Sequence, residues 1–152
     1  MNVVVDDHLL REILLEQEPN WLRRLRRGGQ VLTTGCWYYR LCSACHDDTI
    51  TGALSGPIAA LPVGLQSGVI ETVMRLPDSI GLISMHDLAW TASRLGRVHG
   101  LNLLASEALA AAVQSNCVIA TAASNLSPRL REAAAFEGIR IVSSPTTASK
   151  GA

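Results

Sequence analysis

A chain of 152 residues, 48% of them hydrophobic, with thirteen Lys and Arg balanced by thirteen Asp and Glu, is sized for one domain and has no net charge. At that length about two thirds of the unfolded surface is buried on folding, so neither a metal nor a disulfide is required for stability. Balanced charge excludes a global field toward nucleic acid or an anionic membrane, and any RNA contact has to use a local patch.

Met1 to Asp7 lacks the basic region, long apolar stretch and cleavage site of a secretory signal. A cytoplasmic location is expected, and the four cysteines read as reduced thiols. Two stretches of about twenty residues without charge, Ile50 to Ile70 and Ala108 to Pro128, have the length of a membrane span. Pro57 and Pro62 break the first, and Gln114, Asn116 and Asn125 the second, so no membrane insertion is expected.

Val3 to Val5 reads as a buried strand ending on Asp6 and Asp7, after which Leu9, Leu10, Ile13 and Leu14 repeat at helical spacing. A strand that ends on an acid, with a helix directly after it, places a carboxylate where open parallel sheets build their sites. Pro19 opens a short helical segment with Trp21, Leu22 and Leu25 on one side and Arg23, Arg24, Arg26 and Arg27 around the rest; Gly28 and Gly29 stop it. Gln30 to Thr33 is a second strand, and Thr34 caps a helix with apolar positions at Trp37, Tyr38, Leu41 and Cys45. From Asp47 to Gly68 the composition turns to Gly, Pro, Ser and Thr, which predicts a long connection with at most a turn or two of helix. A further helical turn or two is expected around Val69 to Arg75.

Ile80 to Ile83 is a third strand, and Ser84 with Asp87 resembles a capping box for a helix marked by Met85, Leu88, Ala92 and Leu95 and stopped by Gly100. From Asn102 to Ser115 runs a helix whose one charge is Glu107, so it must be almost entirely buried. Cys117 to Thr121 is a fourth strand and Ala122 to Asn125 a polar turn. Ser127 then caps a helix with Pro128 at its first position, Gly138 ends it, and Ile139 to Val142 forms the last strand. Ser143 to Ala152 is expected as a flexible tail.

Strands separated by helices imply a three-layer α/β sandwich with a central, mainly parallel sheet, a single domain over residues 1–142. Its strands gather their carboxyl ends on one edge. Asp6 lies there, beside Ala122 to Asn125 if the first and fourth strands are neighbours.

Asp6, Asp7 and Glu107 form the first candidate site. Clustered carboxylates repel, and a hard cation such as Mg2+ or Mn2+ relieves that repulsion while activating water for attack on phosphorus. The alternative from the residues alone is that Asp6 and Asp7 cap the first helix and Glu107 sits at an exposed margin.

The order of elements, the opening VVVDDHLL and the block LNLLASEALAAAVQSNCVIATAASNLSPRLREAAAFEGIRIV resemble the PIN domain family, metal-dependent nucleases that include the toxins of many bacterial toxin-antitoxin pairs. The resemblance runs from Asn2 to Val142, is weakest between Asp47 and Ile80, and is most specific in the C-terminal run. It implies RNA cleavage with Mg2+ or Mn2+ and water as nucleophile, an antitoxin-like partner and a homo-oligomer. Asp6 matches the family's first acid, and Glu107 falls where the third precedes Ala-Leu. The helix of the second acid reads Gly35-Cys36-Trp37-Tyr38-Tyr39-Arg40 here, and the turn of the fourth reads Ala122-Ala123-Ser124-Asn125. Either Asp7 and Asn125 partly substitute as metal ligands, or the chain is a non-cutting member that binds RNA, a protein partner or itself.

Cys42-Ser43-Ala44-Cys45-His46 matches the haem-attachment spacing, but covalent haem attachment ordinarily occurs outside the cytoplasm, so no haem is expected. Residues 42, 45 and 46 share a helical face that could hold zinc with Cys36 or Cys117, or Cys42 and Cys45 fill the core. Arg23, Arg24, Arg26 and Arg27, with Trp21 alongside, can grip RNA phosphates and stack a base, or form the solvated face of their helix. His8, His86 and His99 have no partner at ligand spacing on their own helices. No phosphate-cradling glycine loop and no Gly-x-Ser-x-Gly elbow is present.

Overall fold

The computed structural model describes residues 1–46 and 54–145. Strand β1 is Val3–Val5, three valines without solvent exposure. Successive side chains of a strand point to opposite faces, so Val3 and Val5 enter one core and Val4 the other. Strands β2 (Val31–Thr34), β3 (Ile80–Ile83), β4 (Val118–Thr121) and β5 (Ile141–Ser143) complete a five-stranded sheet in the order β3-β2-β1-β4-β5. Every pairing is parallel, with Val4 opposite Leu32 on one side and Ile119 on the other.

The helices are α1 (Asp7–Leu14), α2 (Asn20–Leu25), α3 (Gly35–His46), α4 (Gly56–Ala59), α5 (Val63–Met74), α6 (Met85–His99), α7 (Leu103–Ser115) and α8 (Pro128–Phe136). Leu88 and Leu95 of α6, Ala108 to Ala112 of α7 and Leu130 of α8 pack with Val4, Leu32 and Ile119 on one face of the sheet. Leu9, Leu10 and Leu14 of α1, Leu22 of α2, Ile58 of α4 and Val73 of α5 pack with Val3, Val5 and Ala120 on the other. Helix α3 bridges the layers, with Trp37 in the first core and Leu41 and Ala44 in the second. This is the expected three-layer α/β sandwich.

Several helix ends follow from their capping residues. Asn102 Oδ1 accepts from Ala105 N at 2.9 Å and Ser127 Oγ from Leu130 N at 3.1 Å, while Gly100 takes the left-handed conformation that closes α6. Ser84 caps α6 by accepting from His86 N at 3.1 Å.

Two expectations are corrected. The connection predicted to run to Gly68 contains α4 and the first half of α5, which starts at Val63 and runs on through the turns expected from Val69. Gly64 and Gly68 lie on an open side of that helix, while buried Val73 ties it to the core, so tertiary packing outweighs the glycine penalty. The part of the connection over 47–53 lies outside the described residues. At the other end, Ser143 belongs to β5 and Ser144 N donates to Thr121 O at 2.9 Å, so the sheet holds the first residues of the expected tail. Residues 146–152 also lie outside the described residues. Among the described residues no helix is long and apolar enough to cross a membrane.

The chain steps from β1 to β2 and β3 in one direction, then returns past β1 to lay down β4 and β5 on the other side. The reversal falls between β1 and β4. In open α/β sheets the crevice at such a switch point, outside the carboxyl ends of the strands, is where sites are built.

Candidate functional site

Asp6 emerges from β1 into that crevice and caps α1, its Oδ1 accepting from Leu9 N at 2.9 Å. Its Oδ2 accepts from Ala122 N and from Asn125 Nδ2, both at 2.7 Å. The Asn125 amide gives its other N–H to Asp7 Oδ1 at 2.8 Å, so one side chain after β4 bridges both acids. With both amide hydrogens committed to carboxylates, the Asn125 oxygen turns to Arg40, whose Nη1 donates to it at 3.3 Å. Arg40 Nε lies 3.1 Å from Asp7 Oδ2 and closes the ring as an ion pair, although the approach is not aligned as a hydrogen bond.

Asp6 and Asp7 have no solvent exposure. Burial pushes the Asp6 carboxyl above the usual carboxylate range, against the downward pull of the bonds from Leu9, Asn125 and Ala122, and Asp7 beside it adds repulsion. The capping role foreseen for Asp6 is therefore real, and it coexists with a carboxylate cluster.

Glu107 is fully buried on α7, not at an exposed margin. Both its oxygens lie 3.3 Å from Cys36 N, so a carboxylate from another helix caps α3, where the helix dipole favours negative charge. Thr34, the expected cap, keeps its buried hydroxyl without a hydrogen bond. Burial, and then Glu107 beside it, push the Cys36 thiol up to about 11, so Cys36 stays protonated.

Next to this carboxylate lies a cleft of about 360 Å³. Met85, Leu103 and Leu104 give it apolar walls, exposed Tyr39 and Arg40 border it, and buried Glu107 and half-buried Cys36 lie at its base as polar groups.

As arranged, these donors do not fit a resident Mg2+ or Mn2+. Three donors already occupy the Asp6 oxygens, Asn125 offers the acids N–H groups rather than lone pairs, and the positive charge beside Asp7 is Arg40. Among the described residues no three His, Cys, Asp or Glu side chains converge in a way that could hold a metal ion.

The same holds for the cysteine constellation. Cys42 and Cys45 pack against the α1/α5 core, Cys117 belongs to the opposite one, and Cys36 is engaged with Glu107. Burial pushes the Cys45 and Cys117 thiols up, as expected of core fillers.

The arginine group lies at the other edge of the sheet. A Cβ at Gly29 would fall 2.0 Å from Met1 O, so the turn after α2 presses on the chain just before β1, at the opposite end of that strand from Asp6. Arg26 is held bidentately by Glu18 at 2.6 and 2.9 Å, and Arg23 lies 3.7 Å from the same carboxylate. Arg24 and Arg27 are exposed. One acid thus holds part of the basic patch, which does not join the acidic cluster.

Sequence reasoning missed Arg40. It stands in the first turns of α3, but pairing it with Asp7 requires knowing that α3 packs against α1.

The chain's fold matches the crystal structure of PAE2754 from Pyrobaculum aerophilum with a TM-score of 0.54 over 93% of this chain and 84% of that one, at 13% identity. A likeness at that identity is one of fold alone, and it supports the α/β sandwich. No family model matches the chain, and no curated protein does.

Proposed function

We propose that this chain is a PIN-like domain that acts as a protein-binding module of toxin-antitoxin type and not as a metal-dependent ribonuclease. The observation that carries this reading is the ring of Asp6, Asn125, Asp7 and Arg40, in which a neutral amide supplies hydrogen bonds to both acids and a guanidinium supplies the counter-charge, at the place where a cation would sit. A hydrolytic site needs acids with lone pairs free to take a hard cation out of its hydration shell. Here both Asp6 oxygens and Asp7 Oδ1 accept protein N–H groups, and Arg40 lies against Asp7 Oδ2.

The binding half of the proposal rests on the cleft beside Glu107. Its walls are apolar and its buried acid is Glu107, with the Arg40 guanidinium at the border paired to Asp7, which suits an apolar segment whose basic group reaches Glu107. Tyr39 and Leu103, 72% and 62% exposed, supply apolar area around it.

Two measurements test the proposal. RNA incubated with the protein at millimolar Mn2+ should stay intact; cleavage that Asp6→Ala abolishes would overturn the non-hydrolytic reading. A short peptide carrying leucine and arginine should bind in a titration, several-fold more weakly to Glu107→Gln and not at all once its arginine is replaced by glutamate. Equal binding of the two peptides would remove the cleft from the proposal.

A further inference from the structure

Helix α5 has the composition of a buried helix, yet it lies at the surface. Of its twelve residues only Glu71 carries a charge, and only Val73 is buried. Val63, Leu65 and Met74 are 79%, 59% and 69% exposed. A helix that is apolar all round is normally covered all round, and contiguous apolar surface left in water marks an interface. Between α5 and the end of α1 runs a groove of about 390 Å³, walled by Leu14, Leu15, Leu61, Leu65 and Val69. Gly64 and Gly68, one turn apart, also line it, and a Cβ at either would meet nothing within 4 Å, so another backbone can approach closely there.

Among the described residues Glu16 is the one charge that lines this groove, and it is exposed without an ion pair. It is also strained. Helix α1 ends in a Schellman motif, with Gln17 N donating to Glu12 O at 2.8 Å and Glu16 N to Ile13 O at 3.0 Å. Glu16 thus takes the left-handed position, with φ at 59°, that glycine usually fills. Local folding favours glycine there, so a carboxylate at the rim needs another reason. The opposite charge belongs to the same layer of the fold. Leu22 of α2 lies in the α1/α5 core with Trp21 and Leu25 packed against it, while Arg24 and Arg27 are exposed and have no carboxylate partner among the described residues.

We infer that α5 and its groove are covered by a second copy of this chain, with the apolar α5 faces at the centre and Glu16 of one copy paired with Arg24 or Arg27 of the other. A two-fold interface sets a patch against its own copy, so the patch must carry both hollow and projection and both signs of charge. This patch does: Gly64 and Gly68 leave the hollow, Val63 and Leu65 project, and Glu16 is opposite in sign to the arginines. An apolar centre with a charged rim is also the usual anatomy of a specific interface. The surface shares no residue with the Glu107 cleft and does not depend on the protein-binding reading.

The test is sedimentation velocity of the full chain across micromolar concentrations, where a reversible rise to twice the mass of one chain is expected. Gly68→Gln fills open space and removes a helix-weakening glycine, so it should leave a folded monomer with unchanged circular dichroism and abolish the dimer. Glu16→Gly should relax the left-handed residue and raise the thermal midpoint of the dilute monomer, while weakening the dimer several-fold. Glu16→Arg should weaken it further, and adding Arg24→Glu and Arg27→Glu to that change should restore it. A chain that stays monomeric, a dimer that survives Gly68→Gln or is unweakened by Glu16→Gly, or charge reversal without rescue would overturn the inference. So would a monomer in which Gly68→Gln instead blocks the leucine-arginine peptide, since the groove would then belong to another protein.

Discussion

The two ends of strand β1 show opposite ways of holding charge. At the carboxyl end Asp6 and Asp7 are fully buried, and their partners reach them from far along the chain: Ala122 and Asn125 after β4, Arg40 on α3. At the amino end Glu18 pairs with Arg26 only eight residues away, and that arginine is 31% exposed. Burial dominates at the first end and pushes Asp6 up; the Arg26 bond dominates at the second and pulls Glu18 down. The fold spends its long-range contacts on the acids that solvent cannot screen. The difference marks the carboxyl edge as the built site and the arginine helix as a surface.

Asn125→Asp breaks the contrast most strongly. It replaces the bridging amide by a third carboxylate, which takes the N–H donors away from buried Asp6 and Asp7 and adds like-charge repulsion, a loss of about 3–5 kcal/mol of the kind seen when a buried charge loses its partner. Thermal unfolding should show a large loss, and millimolar Mn2+ should recover part of it, because a third acid turns the ring into a cation site. A variant as stable as the parent without Mn2+ would mean that the bridge does not hold the acids.

Arg40→Ala removes the positive member of the ring. Asp7 is buried but Arg40 is 43% exposed, so water takes over part of its role, and a loss of about 1–3 kcal/mol is expected in urea denaturation. Glu18→Gln at the other end should cost about 1 kcal/mol or less, as surface pairs do. If the Glu18 change proved the more damaging, the ranking of the two edges would be reversed.

The smallest and sharpest effect is in the pH dependence. The Glu18 carboxyl is held below its ordinary 4.5, so its contribution is present above that pH and fades as pH falls through the folded value. Asp6 is raised above 3.8, so its contribution is full below that pH and is lost as pH rises through the folded value. Stability measured against pH in Asp6→Asn and Glu18→Gln should therefore change slope in opposite directions relative to the parent. Two changes of the same sign would contradict the roles given to the two edges.

Much of the architecture was legible in the chain. Three consecutive valines, the lone charge on an alanine-rich helix, Gly100 as a stop and the Ser127-Pro128 start each act through local sterics or capping, and the elements formed where those residues stand. The second half of α5 was legible as helical turns from Val69, but its first half was not, because Gly64 and Gly68 weaken it locally and what holds the helix is packing at Val73, remote in sequence from its core partners. Half of the acidic cluster was visible as Asp6 and Asp7. Its closure was not, since Asn125 in a polar turn and Arg40 on an aromatic helix carry no mark of where they point.

The residues by themselves determined the elements, their layering and the position of an acid at the end of the first strand, because hydrophobic period, β-branching and capping act within a few residues. Only the tertiary structure decided what that acid does. Placing β4 beside β1 brought Asn125 onto both aspartates, and packing α3 across α1 set Arg40 on Asp7. Packing α7 against α3 carried Glu107 to the Cys36 amide. Burial then made those partners obligatory, because a carboxylate removed from water must find its hydrogen bonds and counter-charge within the fold.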